Sequence, residues 1–441
     1  FVAVDVATRP APARARCRTL ESQWQWARRD YTIAVFASGD CMFSASTAFV
    51  LPLLAFCGLA SNAAQAQYEV DEENSVWLRA LVDVRVAQGA PAPSWTDHGP
   101  GKTRYGGRAV DAGFERVTRV ALSQFAVQFG AALPWAVRAQ AQVNVQPDLA
   151  DGYEPWLIEA FLRREWSGET SGWALQAGLT GSPFSLEHSG PAWTPEYSLS
   201  ASALNSWLWE EISVAGVEGE WWRAAESGPR LGIVVGAGYG PDQLARLLAL
   251  RGWVVGDGLS GVGTDLPLPN GTRTEIFDER DDRPAAYTLV TIGERATLKA
   301  GYFDNRGDQN STGVWHTRLT TVGTILHPLP SLDFVAQYLR GKALVRDTTN
   351  DSEVRAFYAL LSQRYKAHRF SLRYDEFRIE DLDGGNSTSE KGDAVTAAYA
   401  WEWGLRQRIA VEYTWLSSNR PASVPAERTH DGWQVSYRFR Y

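Results

Sequence analysis

Apolar and polar residues alternate one by one along much of the chain. The clearest case is 135–146, where Trp, Val and Ala side chains occupy one set of alternate positions and Arg138, Gln140 and Gln142 lie in the other. Successive side chains of a β-strand point to opposite sides, so this period predicts strands with one apolar face and one polar face. The same alternation recurs at 75–86, at 408–415 and at the C-terminus.

The spacing of these segments predicts how the strands are arranged. Connections between them alternate between short turns, such as 132–134, and long loops, such as 88–115 and 240–284. An even number of strands with loops sorted in this way is typical of an outer-membrane barrel with short periplasmic turns and long external loops. We therefore predict an all-β fold, a transmembrane antiparallel up-and-down β-barrel of about sixteen strands. The predicted strands are 75–87, 116–131, 135–147, 154–166, 172–180, 207–223, 230–239, 285–293, 296–304, 313–325, 331–344, 352–364, 369–381, 393–403, 406–416 and 431–441.

The N-terminal part of the chain has the pattern of an export signal. Residues 44–63 are apolar and uncharged and are followed by Ala64-Gln65-Ala66. An apolar stretch that ends in small residues before an A-x-A site is typical of a signal peptide. We predict that 1–66, an N-terminal extension and signal peptide, is removed and that 67–441 forms the barrel. Only 67–74 precede the first strand, so we expect no N-terminal plug of the kind found in energised transporters.

Composition excludes several classes of protein. The 3 cysteines and the only methionine all lie before residue 67, so the remainder has no disulfide, no thiolate metal site and no cysteine nucleophile. Of 43 basic and 51 acidic residues, six and four lie in the first 66, which leaves a net charge of −10 in the remainder. This charge argues against a nucleic-acid partner.

The last segment resembles a known family. Residues 433–441 alternate throughout and end in an aromatic residue, and the sequence here resembles bacterial outer-membrane barrels. The resemblance implies that Phe439 and Tyr441 form the signal for the barrel-assembly machinery. The stretches 94–107 and 175–188, followed by Trp193-Thr194-Pro195, resemble sixteen-stranded porins of the phosphate-selective type. This implies a bacterial outer-membrane location, contact with outer-membrane lipids and lipopolysaccharide, and a homotrimer. The chain has no Lys-rich loop and no clear arginine ladder, so the solute and the charge preference stay open.

Charged residues on the polar faces are predicted to line a water-filled lumen, where wall charge filters ions and small solutes. In the alternative interpretation these side chains pair with each other and only keep the lumen wet. A slip of one residue inverts every face, and we expect such a slip near Asp375-Glu376. The predicted pore-lining residues are Arg79, Asp83, Arg85, Arg138, Glu159, Arg163, Lys299, His316, Arg318, Arg373, Glu402, Glu412 and Arg438, with Arg440 beside them.

Two long loops carry further predictions. Loop 181–206 lies between the fifth and sixth predicted strands, and by resemblance to porins it folds into the pore; alternatively it packs over the barrel mouth. Loop 240–284 contains 241–251, where a proline, leucines at helical spacing and a following glycine predict a short helix with a packing role. The predicted constriction residues are Glu187, His188, Trp193, Glu196 and Tyr197. On the apolar faces, interfacial tryptophans are predicted at Trp401, Trp403, Trp415 and Trp433.

These features predict a porin for passive diffusion of ions and small hydrophilic solutes. We expect no catalytic residue, no cofactor and no metal site. Six histidines lie in the mature part, but neither G-x-S-x-G nor H-E-x-x-H is present, and those are the motifs that would identify common hydrolases. An outer-membrane hydrolase and an exported soluble all-β binding protein remain the alternatives.

Overall fold

The computed structural model describes residues 76–441 with short internal gaps. The predicted N-terminal extension and signal peptide lie outside the described residues. The gaps are 112, 150–151, 182, 225–228, 241, 243, 270, 276, 280–281, 294–295, 307–314, 346–349, 385–387 and 422–426.

Sixteen antiparallel strands close into one barrel, which confirms the predicted fold class. Each strand pairs with its neighbours in chain order, and the barrel closes where the first strand pairs with the last, from Leu81 opposite Arg440 to Gln88 opposite Trp433. The strands are β1 (Val76–Gln88), β2 (Thr118–Leu133), β3 (Val137–Val145), β4 (Trp156–Ser167), β5 (Ser171–Gly181), β6 (Ser213–Ala224), β7 (Arg230–Tyr239), β8 (Ala285–Gly293), β9 (Ala296–Arg306), β10 (Trp315–Leu329), β11 (Leu332–Val345), β12 (Asn350–Tyr365), β13 (His368–Asp381), β14 (Glu390–Trp403), β15 (Gln407–Asn419) and β16 (Glu427–Arg440).

The long loops carry the remaining elements. We name the loops at the long-loop rim L1 (89–117), L2 (146–155), L3 (182–212) and L4 (240–284). L3 contains helix α1 (Ala203–Glu211) and L4 contains helix α2 (Leu244–Leu250), which lies within the helix predicted at 241–251. Among the described residues, no helix is long and apolar enough to cross a bilayer. Small hairpins and single turns complete the loops: Arg108–Val110 with Gly113–Glu115, Asp265–Pro267 with Arg273–Glu275, Trp95–Asp97, Pro134–Ala136 and Pro191–Trp193.

The outer wall of the barrel is apolar. Its large exposed side chains include Leu162, Leu361 and Leu372. The residues directly before and after each of them in the strand face the lumen or the turn. Trp401 and Trp403 lie on this face near the short-turn rim, and their rings stack with centroids 5.8 Å apart. Apolar side chains flanked by aromatic residues match the surface that a bilayer requires of a barrel.

Two details of the strand prediction are wrong. The segment 207–223 begins as helix α1, because the Ser202 side chain caps that helix by accepting a hydrogen bond from the Asn205 N–H at 3.2 Å. A capped helix end satisfies a free backbone donor, and the strand starts only at Ser213. The slip expected near Asp375 is also absent, since β13 keeps one register with both neighbours.

Half of the barrel interior is an apolar core. The inner wall of β8 to β13 carries buried hydrophobic residues, among them Leu319, Val335 and Phe377. L3 and L4 pack Phe184, Leu204, Trp207, Leu244 and Trp253 against this wall. The polar part of the lumen therefore lies mainly on the side formed by β14 to β16 and β1 to β5, and β13 adds Arg369, Arg373 and Asp375.

A second apolar cluster joins three loops. L1 contributes Trp95, L2 contributes Leu149, and L4 contributes Leu247 and Leu259, all of them buried. Because these residues come from loops at the same rim, they hold L1, L2 and L4 together over the mouth of the barrel.

Candidate functional site

L3 leaves β5 and crosses the lumen to the opposite wall. The Pro183 carbonyl accepts a hydrogen bond from Lys299 Nζ at 2.6 Å, and the Phe184 carbonyl accepts one from Gln337 Nε2 at 2.9 Å. Gly301 leaves room for the Phe184 ring, since a Cβ atom at that glycine would lie 2.5 Å from ring atom Cε1. These contacts fix the start of L3 on β9 and β11.

A buried ion pair holds the middle of L3. Glu187 lies 3.1 Å from the Arg373 guanidinium on β13, and both side chains are 1 % exposed. The Glu187 carboxylate also accepts hydrogen bonds from the Ser202 N–H at 3.0 Å, from the Ser202 hydroxyl and from Asn205 Nδ2 at 2.6 Å. Arg373 is shared with Asp375 at 2.9 Å. Glu187 therefore links both limbs of L3 to the wall.

The second limb of L3 is bound by β13, β15 and β16. Glu412 accepts a hydrogen bond from the Leu199 N–H at 2.6 Å. Arg438 donates to Thr194 Oγ1 at 2.9 Å, and Arg369 lies 3.3 Å from Glu196 with its guanidinium 5.0 Å from the centre of the Tyr197 ring. All five predicted constriction residues thus lie in a loop that folds inside the barrel.

His188 has a local role within L3. Its Nδ1 lies 2.9 Å from Ser185 Oγ, and that hydroxyl also accepts hydrogen bonds from the backbone N–H groups of Glu187 and His188. This pattern is a side-chain-capped turn. Burial lowers the pKa of His188 to about 3, so the imidazole is neutral at pH 7.

A buried charge network links the loops to the closing strands of the barrel. Arg85 on β1 lies 2.8 Å from Asp83 and 2.6 Å from Asp257 of L4. Arg438 on β16 lies 2.8 Å from Asp83, and Arg104 of L1 lies 2.9 Å from Asp257. Burial would raise the pKa of Asp257, but the two arginines outweigh it, so the pKa is lowered and the carboxylate stays charged.

L4 runs across the lumen above L3. The Ala201 N–H of L3 donates to the Gly256 carbonyl at 2.6 Å, and Gln146 donates to the Asp257 carbonyl at 3.0 Å. On the other side the Trp253 N–H donates to Glu390 of β14 at 3.1 Å. L4 therefore spans the mouth from β14 to the start of L2.

L1 also reaches across the mouth. Lys102 lies 2.8 Å from Glu390, a residue three strands away from β1 around the barrel. Burial lowers the pKa of Lys102 to about 8, although Glu390 acts in the opposite direction.

Two of the predicted pore-lining residues are misplaced. Leu319 is buried in the apolar core inside the barrel, so its neighbours His316 and Arg318, which alternate with Thr317 and Leu319, lie on the outer face of β10. The prediction assumed that the charged positions of a strand face the lumen. In β10 the inner face is apolar instead, because L3 packs against it. The other predicted residues lie on the inner wall: Arg79, Asp83, Arg85, Arg138, Glu159, Arg163, Lys299, Arg373, Glu402, Glu412, Arg438 and Arg440.

The sequence prediction missed Arg408. It lies on the inner wall of β15, directly opposite Arg438, and is 6 % exposed. Within the described part of the chain its side chain makes no hydrogen bond or ion pair, and its Nε is buried without a partner. The alternation at 408–415 places Arg408 on the polar face, and this pattern could have identified it as a residue of the inner wall. Over the same described ranges, three other inner-wall arginines also form no ion pair: Arg79, Arg138 and Arg440.

Two cavities mark the polar side of the lumen. One of about 520 Å³ lies below L3 near the short-turn rim and is lined by Arg79, Gln142, Trp193 and Arg440. The other, of about 30 Å³, lies between L3 and the loops above it and is lined by residues that include Arg104, Asp257 and Glu412. The first has the size of a small solute, and the second that of one or two water molecules.

Comparisons with known proteins place the fold. No protein-family model matches the chain, and no curated protein matches its sequence. Among solved structures, the outer-membrane channel DcaP of Acinetobacter baumannii is similar with a TM-score of 0.54 and 12% identity, over 83% of this chain and 97% of that one. An anion-selective porin from Comamonas acidovorans is similar with a TM-score of 0.51 and 12% identity, over 83% of this chain and 99% of that one.

Both likenesses concern the fold. They agree with the predicted resemblance to porins and with the predicted location in the bacterial outer membrane. In fold, the chain is a sixteen-stranded porin-type barrel of the bacterial outer membrane.

Proposed function

We propose that the protein is a passive diffusion channel for small hydrophilic solutes and that it prefers anions. The observation that supports this preference is which charges on the inner wall are paired and which are not. Arg79, Arg138, Arg408 and Arg440 form no ion pair within the described residues. Of the acidic residues, Asp83 and Glu187 are each held by an arginine, and Glu159 and Glu412, which form no ion pair there, accept several hydrogen bonds from neutral donors. An unpaired charge attracts mobile ions of opposite sign, and a paired one does so far less.

The loops supply the size limit. L3 is tied to the barrel wall at β9 and at β15, and L4 covers it from above, where Asp257 binds Arg85. Between them lies the cavity of about 30 Å³. We therefore expect solutes larger than water to need a small displacement of L1 or L4 to pass, and we expect a low conductance for a barrel of this width.

The test is single-channel recording on 67–441 in a planar bilayer with a KCl gradient. We expect stepwise openings and a reversal potential with the sign of anion preference. The double variant Arg408→Gln, Arg440→Gln should shift that potential towards cations. The matched control Arg318→Gln removes an arginine of the outer face that forms no ion pair with the described residues, and it should leave the reversal potential unchanged.

Two alternatives predict other results. A hydrolase predicts turnover that is abolished by a change at one histidine; the Ser–His contact at Ser185 and His188 is part of a local turn. A soluble binding protein predicts solubility without detergent. A barrel that inserts in the membrane but never conducts would overturn the channel.

A further inference from the structure

The cavity of about 520 Å³ below L3 has the size of a site for a small molecule. It lies on the short-turn side of L3, because its arginines come from the start of β1 and the end of β16. Its lining combines three kinds of group that a ligand could use: cations, amides and one aromatic ring.

The cations of this cavity have no acidic partner among the described residues. Arg79 stacks over the Trp77 ring at 4.7 Å and is exposed, and in the described part of the chain its guanidinium makes no hydrogen bond or ion pair. Arg440 forms no side-chain hydrogen bond there either, and its Nε is buried. The neighbouring acid Glu402 lies 3.9 Å from Arg364 instead. Guanidinium groups without partners fit a bound carboxylate or phosphate.

One amide of this cavity is unsatisfied within the described residues, and two others have free carbonyl oxygens there. Gln142 is fully buried, and neither its Oε1 nor its Nε2 has a hydrogen-bond partner among the described residues. Leaving a buried amide without partners is costly, so such a group implies a partner that binds there. Gln128 and Gln140 both donate to Glu159, at 3.3 Å and 2.5 Å, which leaves their carbonyl oxygens able to accept from hydroxyl groups.

Trp193 gives the cavity a flat apolar wall. It follows Ala192, and both residues have left-handed backbone conformations, with φ of 53° and 60°. Residues other than glycine rarely adopt this backbone conformation because it is strained. Backbone strain of this kind is common at binding sites. Here it places the Trp193 ring, which is partly exposed, beside the amides and arginines.

From these groups together we propose that the cavity binds a sugar-like anion, a small polyhydroxylated ring that carries a carboxylate or a phosphate. Arg79 and Arg440 bind the oxyanion, the glutamine side chains bind hydroxyl groups, and Trp193 contacts the ring face. The proposal deepens the proposed function, on which it rests, by naming the class of solute that stops below L3.

Calorimetric titration of the detergent-solubilised chain tests this site. The probes are glucuronate, glucose 6-phosphate, inorganic phosphate and neutral glucose. We expect the two sugar anions to bind more tightly than either inorganic phosphate or glucose, and whichever binds better identifies the carboxylate or the phosphate form. Arg440→Gln should weaken all three anions by about tenfold or more.

Further variants separate the contributions of the ring and the amide. Trp193→Leu should weaken the sugar anions by about threefold to tenfold and leave inorganic phosphate unchanged. Gln142→Leu should weaken the sugar anions, and the outer-face control Arg318→Gln should have no effect. Two results would overturn the site: glucose and glucuronate bind equally well, or Arg440→Gln binds the anions as tightly as wild type does.

Single-channel recording with the same probes distinguishes failure of the site from failure of the channel. If the protein conducts but binds neither glucuronate nor glucose 6-phosphate, and neither interrupts its current, the channel stands and the site is refuted. A protein that binds the sugar anions with the expected variant effects but never conducts keeps the site and refutes the channel.

Discussion

Asp257 is the residue that ties L4 to the barrel wall. It contacts Arg85 of β1 and Arg104 of L1, and all three side chains are buried. Removing one partner of a buried ion pair costs about 3–5 kcal/mol, because the remaining charge is left without compensation. This carboxylate therefore anchors L4 on the β1 side of the mouth, while the Trp253 contact with Glu390 holds it on the β14 side.

We predict that Asp257→Asn weakens the docking of L4 and raises single-channel conductance. The neutral amide cannot compensate two buried guanidinium groups, so L4 spends more time away from the lumen. Asp111→Asn, at an exposed position in the hairpin turn of L1, is the matched control and should conduct like wild type. An unchanged conductance in Asp257→Asn would show that L4 does not limit the pore.

His188 makes the stability of L3 depend on pH. Burial lowers its pKa from 6.5 to about 3, so the unfolded chain binds a proton between those values while the folded chain does not. Stability must then rise with pH across this window and fall as the medium is acidified from pH 6.5 towards pH 3.

The variant His188→Gln tests this dependence. We expect wild type to lose more thermal stability than the variant between pH 6.5 and pH 4, because glutamine has no proton to bind. Unfolding midpoints of both proteins at a series of pH values provide the measurement. Parallel pH curves for the two proteins would contradict the neutral, buried imidazole.

At the scale of elements, β13 provides a test of register. Its side chains alternate without interruption, so Leu372 is 55 % exposed on the outer face while Arg373 is buried in the lumen. We predict that Leu372→Arg destabilises the barrel by about 2–4 kcal/mol, the usual effect of a cation facing lipid near the middle of the membrane. Leu372→Ala is the control for loss of the side chain, and urea unfolding in lipid vesicles is the measurement. Equal effects of the two substitutions would mean that this face does not contact lipid.

The strands could be predicted because a barrel repeats one local rule. Each strand has to alternate, so each carries its own signal. All sixteen predicted strands overlap an observed one, although the sixth starts only at Ser213, after helix α1. The rule failed at His316 and Arg318 because it assumes a polar lumen. Phe184 and Leu186 of L3 bury the inner face of β9 and β10, and nothing within β10 reports that distant contact.

The site was less predictable than the strands for the same reason. Glu187 and Arg373 were both named as site residues, but their ion pair joins positions 186 residues apart. The lack of a partner for Arg408 depends on where its neighbours point in three dimensions. Alternation gives the face of a residue and leaves its contacts undetermined.

At the scale of the whole molecule, the predicted homotrimer stays a prediction. It comes from the resemblance of the sequence to porins, and the described chain is one copy. We expect the detergent-solubilised protein to have three times the mass of one chain by analytical ultracentrifugation, with dissociation to one chain on heating. A single-chain mass before heating would contradict the trimer and would leave the channel within one barrel intact.

The apolar core inside the barrel has a mechanical consequence. The wall from β8 to β13 is backed by packed side chains of L3 and L4, and packed protein interiors are hardly compressible. The wall from β14 through β5 borders the polar space and is joined to the loops mainly by hydrogen bonds and ion pairs, such as those of Glu412 and Arg85. We therefore expect lateral pressure from the bilayer to deform the cross-section more on this side, which is the side of the proposed solute path. Membrane tension would then act directly on the width of the path.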